Sequence, residues 1–282
     1  MSLVITSLQA KVLRRSLSQV CQPVPTGLRP FKLGDLVLGY LHPMRDAVLS
    51  RCWPDLVLHE GAWVWRATDL DVDARSEQIG EAAQRLREVG AIQGWRDERF
   101  AGEAPVDDPC TPPGEPLFRL ERAAFRFFGL MSRAVHINGF LPGARLVCGR
   151  RALSKATDPG RLDNLAAGGL TADESLVDCA RRELQEEAGI PMALSHGLQA
   201  RGALLSRRME PEGLHHEVLH VFSLTMPSGF VPRNGDGEVS EFLTLDLESL
   251  CARLAAGDFS HDAAAVCAWG LLHADALSDL RP

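Results

Sequence analysis

Hydrophobic residues recur with helical spacing in the longer segments of the chain and alternate with polar residues in the shorter ones. This pattern predicts helices over residues 3–20, 43–51, 75–89, 247–256 and 262–277. It predicts strands over residues 35–41, 56–59, 62–66, 134–141, 145–150, 198–207 and 217–226. A stretch rich in proline, glycine and aspartate, residues 101–116, is typical of a linker. We therefore expect a small α+β domain over residues 1–116, including the linker, and a larger α/β domain over residues 117–282.

The composition is that of an ordinary globular protein, with 282 residues of which 45% are hydrophobic and 24% charged. The net charge of −7 argues against a general affinity for nucleic acid or anionic membranes. The seven cysteines include no C-x-x-C pair, which favours reduced thiols in the cytoplasm over a zinc ribbon. No hydrophobic run reaches the roughly 20 residues that a membrane span requires. Residues 1–34 lack acidic side chains, as transit peptides do, but their spacing favours an amphipathic helix.

One predicted helix, within residues 168–190, gathers carboxylates on one face. Glu186 and Glu187 each lie within about 60° of Glu183 around the helix axis. Like charges at this spacing, close to a helix C-terminus, destabilise the helix. Arg182 can neutralise only part of this charge, so we expect a divalent cation, and carboxylate oxygens suit Mg²⁺ or Mn²⁺. A solvated acidic face is the alternative. A separate apolar stripe that can pack on a core is formed by Val177, Ala180, Leu184 and Ala188.

The same segment carries a motif of fixed spacing. Gly168 is followed after five residues by Glu174, and after seven more by the run Arg182-Glu183-Leu184-x-Glu186-Glu187-x-Gly189-Ile190. This pattern resembles the Nudix box. The resemblance implies an α/β/α sandwich with a mixed sheet, a bound Mg²⁺ or Mn²⁺, and hydrolysis of a diphosphate bond in a small-molecule substrate. A nucleoside diphosphate linked to another group is the usual substrate of this family.

The resemblance also implies roles for the acidic residues. Glu183, Glu186 and Glu187 are the expected metal ligands and catalytic residues, and Arg182 is expected to orient them. Glu174 is a weaker candidate for a catalytic role, because it is also a candidate partner in a capping box at the start of the helix. A box glutamate is the expected general base. Glu238 and Glu241 are weaker candidates for that base.

Several further positions are expected to serve the substrate or the helix. Contacts to the diphosphate or to the remainder of the substrate are expected from Gly168, Gly169, Arg150, Asn138 and Asn164. The residue that caps the helix N-terminus is expected to be Thr171, with Glu174 three residues later, or Asp173.

Several short runs outside the box are similar to a subgroup of Nudix domains associated with thiamine pyrophosphokinase. They are Gly-Trp-Arg-Asp-Glu at 94–98, Phe-Arg-Leu-Glu-Arg-Ala-Ala at 118–124, His-Ile-Asn-Gly at 136–139, and the lead into the box at 159–169. This similarity implies hydrolysis of thiamine diphosphate, or of its oxidised analogues, to the monophosphate. Trp95, Phe118 and Phe140 are then candidate walls for its aromatic rings.

Two other functions stay open at this point. One is a Nudix pyrophosphatase for ADP-ribose, dinucleotides or oxidised nucleotides, and the other is a Nudix-like protein that binds a ligand without cleaving it. An isomerase would need a catalytic cysteine and glutamate pair that the sequence does not reveal. The histidines at 215, 216 and 220 are not expected to form a metal site, because only His216 and His220 share a strand face, about 13 Å apart.

Overall fold

The computed structural model describes residues 5–143, 145–155, 157–226 and 229–273. Over the first part of the chain it contains helices α1 (Ser7–Val20), α2 (Asp46–Cys52), α3 (Val72–Glu88) and α4 (Arg122–Phe128). The strands of this part are β1 (Arg29–Leu33), β2 (Leu36–Leu41), β3 (Val57–His59), β4 (Ala62–Trp65), β5 (Arg99–Gly102) and β6 (Phe118–Glu121). The first four strands form a mixed sheet in the order β2-β1-β4-β3, and β5 pairs with β6.

An aromatic core holds this first part together. The Phe31 ring lies 5.9 Å from the Trp53 ring and 5.2 Å from the Phe128 ring, measured between centroids. Phe118 packs edge-on against Trp65 in the same core. The segment from β6 to α4 therefore packs with the residues that precede it. The division of domains at residues 116 and 117 stays a prediction.

The second part of the chain adds seven strands and three helices among the described residues. The strands are β7 (Met131–Leu141), β8 (Arg145–Arg151), β9 (Leu162–Asp163), β10 (Ala166–Gly169), β11 (Gln199–Glu210), β12 (Gly213–Thr225) and β13 (Val239–Leu245). The helices are α5 (Leu176–Ala188), α6 (Leu247–Ala256) and α7 (His261–Leu272). Residues 3 and 4 of the predicted helix at 3–20, and residues 274–277 of the predicted helix at 262–277, lie outside the described residues.

These elements form an α/β/α sandwich, as the resemblance implies. The central sheet runs in the order β11-β12-β7-β8-β13, with β10 beside β7 and β9 beside β8. It is mixed because β12 is parallel to β7 and the other strand pairs are antiparallel. Alternation along β7 sends Val135 and Ile137 towards the core under α5, and Phe140 towards the core under α6 and α7.

Helix α1 packs on the second part of the chain rather than on the first. Leu13 is fully buried in the same hydrophobic cluster as Phe140, Leu250 and Leu271. The predicted linker also contacts the larger sheet, because the buried Arg133 on β7 donates hydrogen bonds to the Glu103 carboxylate at 3.0 and 3.1 Å. The two parts of the chain are thus joined by buried contacts.

No helix among the described residues is long and apolar enough to cross a membrane. This finding agrees with the hydropathy of the sequence.

A buried ion-pair network fastens α7 to the sheet. The Asp262 carboxylate accepts hydrogen bonds from the Ser206 hydroxyl at 2.6 Å and from Arg208 Nη1 at 2.8 Å. His215 Nε2 lies 3.3 Å from the same carboxylate. Burial raises the pKa of Asp262, but His215 and Arg208 more than offset it and hold the pKa well below its usual value.

Replacing Asp262 with asparagine is expected to lower the free energy of unfolding by about 3 kcal/mol at pH 7, because the substitution removes one of the two carboxylates that pair with the mostly buried Arg208 and leaves it with Glu210. The contribution of a carboxylate with a depressed pKa is complete above its unfolded pKa and is lost as the pH falls. The difference between wild type and Asp262→Asn, measured by urea unfolding, should therefore shrink below about pH 4.

Asp258→Asn is the matched control. Its carboxylate pairs with Arg253 at 3.2 Å in a half-exposed position, so the loss should stay below about 1 kcal/mol. Equal losses of unfolding free energy in Asp262→Asn and Asp258→Asn would contradict the stabilising role assigned to the Asp262 network.

Candidate active site

The predicted box begins on a strand and ends with a helix. Strand β10 pairs with β7 through Gly168 opposite Val135 and Gly169 opposite Ala134, and α5 follows after a loop. The Ser175 side chain caps the helix by accepting a hydrogen bond from Asp178 N. The expectation of Thr171 or Asp173 as the cap was wrong, because the helix begins later than the motif suggests. Gly189 ends the helix with φ of +63°, as predicted for a left-handed C-cap.

The apolar side of α5 packs against the sheet. Ala180, Leu184 and Ala188 are fully buried together with Cys179. Val177 is exposed, so the predicted stripe was wrong at this position. Leu176, one position earlier, packs against this cluster in its place.

Arg182 is the centre of the acidic face. Its guanidinium donates to both oxygens of Glu174, at 2.9 and 3.0 Å. Its Nη1 also donates to Glu183 at 2.6 Å and to Glu186 at 3.2 Å. One cation therefore contacts three carboxylates of the motif, which agrees with the orienting role expected of Arg182. Glu187 lies outside this set of ion pairs.

Gly168 and Gly169, which lie on β10 at the start of the box, leave room for neighbouring side chains. A Cβ atom on residue 168 would stand 1.8 Å from Oε1 of Glu183, and a Cβ on residue 169 would stand 2.2 Å from the Phe100 ring. Both positions thus require glycine for steric reasons. Direct contact of Gly168 and Gly169 with substrate stays a prediction.

Glu183 and Glu187 are mostly buried, with 8% of each residue exposed. Burial raises the pKa of Glu183, and Arg182 offsets part of that effect. Burial and the nearby Glu183 charge raise the pKa of Glu187 well above its usual value, although Ala167 N donates a hydrogen bond to Glu187 at 2.9 Å. Glu183 pairs with Arg182, whereas Glu187 forms no ion pair with any described residue, so no cation in direct contact balances its charge.

A second acidic group comes from the segment between β12 and β13. Oxygen atoms of Glu187, Asp236 and Glu238 all lie within 4.8 Å of one another. The Lys155 ammonium pairs with Glu238. Burial raises the pKa of Glu238, but the hydrogen bond from Lys155 brings it below its usual value. This group extends the acidic face of α5 across to the loop of residues 234–238.

The donor set fits a divalent cation. It consists of carboxylate oxygens only, which are the ligands that Mg²⁺ and Mn²⁺ prefer. Buried carboxylates with raised pKa values gain most from such an ion, because the ion replaces the missing counter-charge. Glu183, Glu186 and Glu187 remain the predicted ligands, with Asp236 and Glu238 added by the structure as candidates.

The other predicted substrate contacts are engaged within the protein. Asn164 Nδ2 donates to Asn138 Oδ1 at 2.9 Å, and Asn138 Nδ2 donates to Val266 O at 3.0 Å. Both asparagines are buried on the side of the sheet that faces α7. Arg150 pairs with the Glu241 carboxylate. Substrate contact by any of these three residues would require these bonds to break, and it stays a prediction.

The histidines at 215, 216 and 220 lie in different surroundings. His220 Nε2 lies 3.3 Å from Arg133 Nη1, whereas the buried ring nitrogens of His216 have no hydrogen-bond partner among the described residues. His215 approaches Glu217 and Asp262, a grouping that strand spacing alone did not reveal. The guanidinium of Arg208 already neutralises Asp262 in that group.

Sequence reasoning missed two members of the acidic site. Asp236 lies in the run Asn-Gly-Asp-Gly-Glu, which was visible as a turn motif, but nothing local connected it with a helix about 50 residues earlier. Lys155 lies in a loop that approaches Glu238 only in the folded chain. The proline- and glycine-rich composition of both segments indicates loops and gives no sign of their pairing.

Comparison with known proteins gives the family. The model of the NUDIX domain matches residues 133–266, and the model of a domain of unknown function, DUF4743, matches residues 15–132. Nudix hydrolase 24, chloroplastic, of Arabidopsis thaliana is 33% identical over 219 residues, 76% of this chain and 58% of its own length. Nudix hydrolase 20, chloroplastic, of the same plant is 33% identical over 227 residues, 76% of this chain and 59% of its own length.

A third relative has a different activity in its name. Isopentenyl-diphosphate Delta-isomerase of Jannaschia sp. is 30% identical over 140 residues, 49% of this chain and 76% of its own length. The chain spans less than two thirds of the length of the two plant relatives. Residues 133–266 of the chain, which carry the box and the sandwich, are therefore a NUDIX domain, and a domain of unknown function precedes it.

Proposed function

We propose that this protein is a hydrolase that uses Mg²⁺ or Mn²⁺ to cleave the diphosphate bond of a small-molecule substrate. The observation that carries the proposal is the buried Glu187, which forms no ion pair among the described residues and faces Asp236 and Glu238 of another loop beside the buried Glu183. Nudix enzymes as a family use divalent metal ions. A cytoplasmic location stays a prediction.

Each residue of the site has a role in this proposal. Glu183, Glu186 and Glu187 hold the cation, and Arg182 fixes the position of Glu183 and Glu186. Glu174 holds Arg182 through two hydrogen bonds and acts as a positioning residue. A divalent ion bound here supplies positive charge to the phosphoryl oxygens and lowers the pKa of a water molecule.

The geometry favours Glu238 over Glu241 as the residue that takes a proton from water, although a box glutamate is still a candidate. Glu238 lies beside Glu187 in the acidic group, and a general base must lie this close to the group that holds the attacking water. Glu241 is half-exposed and pairs with Arg150.

Thiamine diphosphate or an oxidised analogue is the substrate that the short motifs favour, with the monophosphate as product. ADP-ribose, dinucleotides and oxidised nucleotides are equally consistent with the family. Among the three aromatic residues predicted to line a ring pocket, Phe118 and Phe140 are fully buried in the two cores. Trp95 is partly exposed beneath the Arg87 guanidinium and keeps the geometry that a stacking surface needs.

The isomerase named among the relatives is the main rival reaction. Cys179 is the cysteine on the box helix, but it is fully buried, and its Sγ lies 3.4 Å from the Gly169 carbonyl oxygen. Burial also raises its pKa above the usual value. A thiol in this position has no surface with which to reach a substrate, so hydrolysis is the reaction that the site favours.

A screen for phosphate-containing products tests the proposal. The purified chain is incubated with thiamine diphosphate, oxythiamine diphosphate, ADP-ribose, NADH and 8-oxo-dGTP, each with Mg²⁺ and with Mn²⁺. We expect monophosphate products from at least one substrate and none in the presence of EDTA. Turnover that continues in EDTA would contradict a metal-dependent mechanism, and binding without cleavage would favour a ligand-binding protein.

Glu187→Gln and Glu248→Gln serve as the test variant and its control in this screen. Glu187→Gln removes a buried carboxylate of the acidic site and should reduce turnover at least a hundredfold without lowering the melting temperature of the metal-free protein. Glu248 is an exposed acid on α6, and its substitution should leave turnover unchanged.

Gly168→Ala should reduce metal-dependent turnover by roughly ten- to a hundredfold, because its Cβ would displace the Glu183 carboxylate. The assay compares the apparent Mg²⁺ affinity and kcat of the variant with those of wild type. Gly80→Ala on α3 is the control, since a Cβ there would meet no atom within 4 Å. Equal activity of Gly168→Ala and wild type would contradict the placement of Glu183 in the site.

A further inference from the structure

A second polar cluster lies on the face of the large sheet that α7 covers, opposite the box helix. His215 and Glu217 are two residues apart on β12, so both point to the same face as Leu219 and Val221, which pack against α7. Asp262 lies in the first turn of α7. A ring nitrogen of His215 and carboxylate oxygens of Glu217 and Asp262 all lie within 4.8 Å of one another.

His215 carries a buried nitrogen atom without a hydrogen-bond partner. Only 3% of the residue is exposed, and its Nε2 atom makes no hydrogen bond with any residue in the described parts of the chain. This atom lies 3.3 Å from Asp262 Oδ2 and 3.8 Å from Glu217 Oε2, so it is aimed between two carboxylates. A buried polar atom without a partner costs free energy, which a ligand bound at this point would recover.

The two carboxylates are held from outside by protein donors. Asp262 Oδ1 accepts hydrogen bonds from the Ser206 hydroxyl at 2.6 Å and from Arg208 Nη1 at 2.8 Å. The Ser132 hydroxyl donates to Glu217 Oε1 at 2.7 Å. The other oxygen of each carboxylate lies nearer to His215, although Asp262 Oδ2 also accepts a longer bond of 3.2 Å from Arg208 Nη2. Outer hydrogen bonds of this kind orient the ligands of metal ions.

The spacing of the three inner atoms fits one tetrahedral ion. Zn²⁺ binds histidine nitrogen and carboxylate oxygen at about 2.0–2.2 Å, so two ligand atoms of the same ion stand roughly 3.4 Å apart. The separations of 3.3 and 3.8 Å from His215 Nε2 are close to this value. Small side-chain rotations would therefore bring the three atoms onto one ion.

The charge of the surroundings also favours a divalent ion. Arg208 pairs with Asp262 at 2.8 Å and with Glu210 at 2.6 Å, so one guanidinium is shared between two carboxylates. Glu217 forms no ion pair with a lysine or arginine that the structure describes. With His215 neutral, as a metal ligand must be, three carboxylates face one guanidinium. The excess of two negative charges matches a divalent cation.

We propose that His215, Glu217 and Asp262 bind one divalent transition-metal ion, and that Zn²⁺ is the ion that best suits a histidine nitrogen with two carboxylate oxygens. The ion links β12 to the first turn of α7. Solvent can supply a further ligand, because 16% of the Glu217 side chain and 14% of the Asp262 side chain are exposed. This site is separate from the oxygen-only site of the box and goes beyond the proposed hydrolase function.

Zinc retention by the full chain tests this inference. Protein freed of metal with a chelator is dialysed against buffer that contains Zn²⁺, and the bound zinc is measured by atomic emission. His215→Gln and Glu217→Gln are the test variants, and His59→Gln, which alters an exposed histidine on β3, is the control. We expect each test variant to retain about one zinc ion per chain fewer than wild type, and the control to retain as much as wild type. Zinc bound at the box contributes equally to all four proteins.

X-ray absorption spectroscopy of zinc-loaded wild type covers the case in which a variant fails to fold. We expect imidazole scattering together with oxygen ligands at about 2.0 Å. Equal zinc retention by wild type and a folded His215→Gln, a zinc spectrum without imidazole, or no zinc retained by wild type would each contradict the inference. The last result would leave His215 as a protonated partner of Asp262. None of these results bears on metal-dependent hydrolysis at the box, which the substrate screen tests separately.

Discussion

Burial of Glu183 and Glu187 on one face of helix α5 is the constraint that the site depends on. Arg182 contacts Glu183, together with Glu174 and the exposed Glu186, whereas Glu187 accepts a hydrogen bond from Ala167 N and lies beside other acids. Such an arrangement weakens the fold unless something else offsets it, because buried like charges raise one another's pKa values. The apolar side of the helix provides the offset, since Ala180, Leu184 and Ala188 are fully buried against the sheet.

The sandwich brings distant parts of the chain to this face. Strand β10 sets Gly168 against Glu183, and the segment before β13 carries Asp236 and Glu238 to Glu187. The first domain reaches the same place through β5, whose Phe100 ring lies on Gly169. Close packing at Gly168 and Gly169 therefore brings the acidic site into contact with the domain of unknown function.

The sequence predicts the parts of this arrangement that are local. The box helix, its glycine end and the hairpin of β7 and β8 follow from spacing within about 20 residues. Strands β1 and β5 were not predicted, whereas β3 and β4 are no longer than these but are marked by the turn at Glu60-Gly61 between them. Asp236 and Lys155 were missed because their pairing with the site depends on folding.

Polar residues on strands show a second limit of prediction from the sequence, because here residues were expected at the site that the fold uses elsewhere. Asn138 and Asn164 were expected at the substrate, yet they bond to each other and to Val266 in a buried network. A polar side chain in a hydrophobic strand indicates a special environment, and sequence alone does not distinguish a ligand site from an internal hydrogen bond. The start of α5 shows the same limit, since three residues able to cap it, Thr171, Asp173 and Ser175, lie within five positions.

The most direct test of the account is an anomalous diffraction measurement on crystals soaked in Mn²⁺. The account predicts a Mn²⁺ peak in contact with carboxylate oxygens of Glu183 and Glu187, and removal of that peak by excess Mg²⁺. A fully soaked crystal without a peak at these residues, with Glu183 still paired to Arg182, would contradict it.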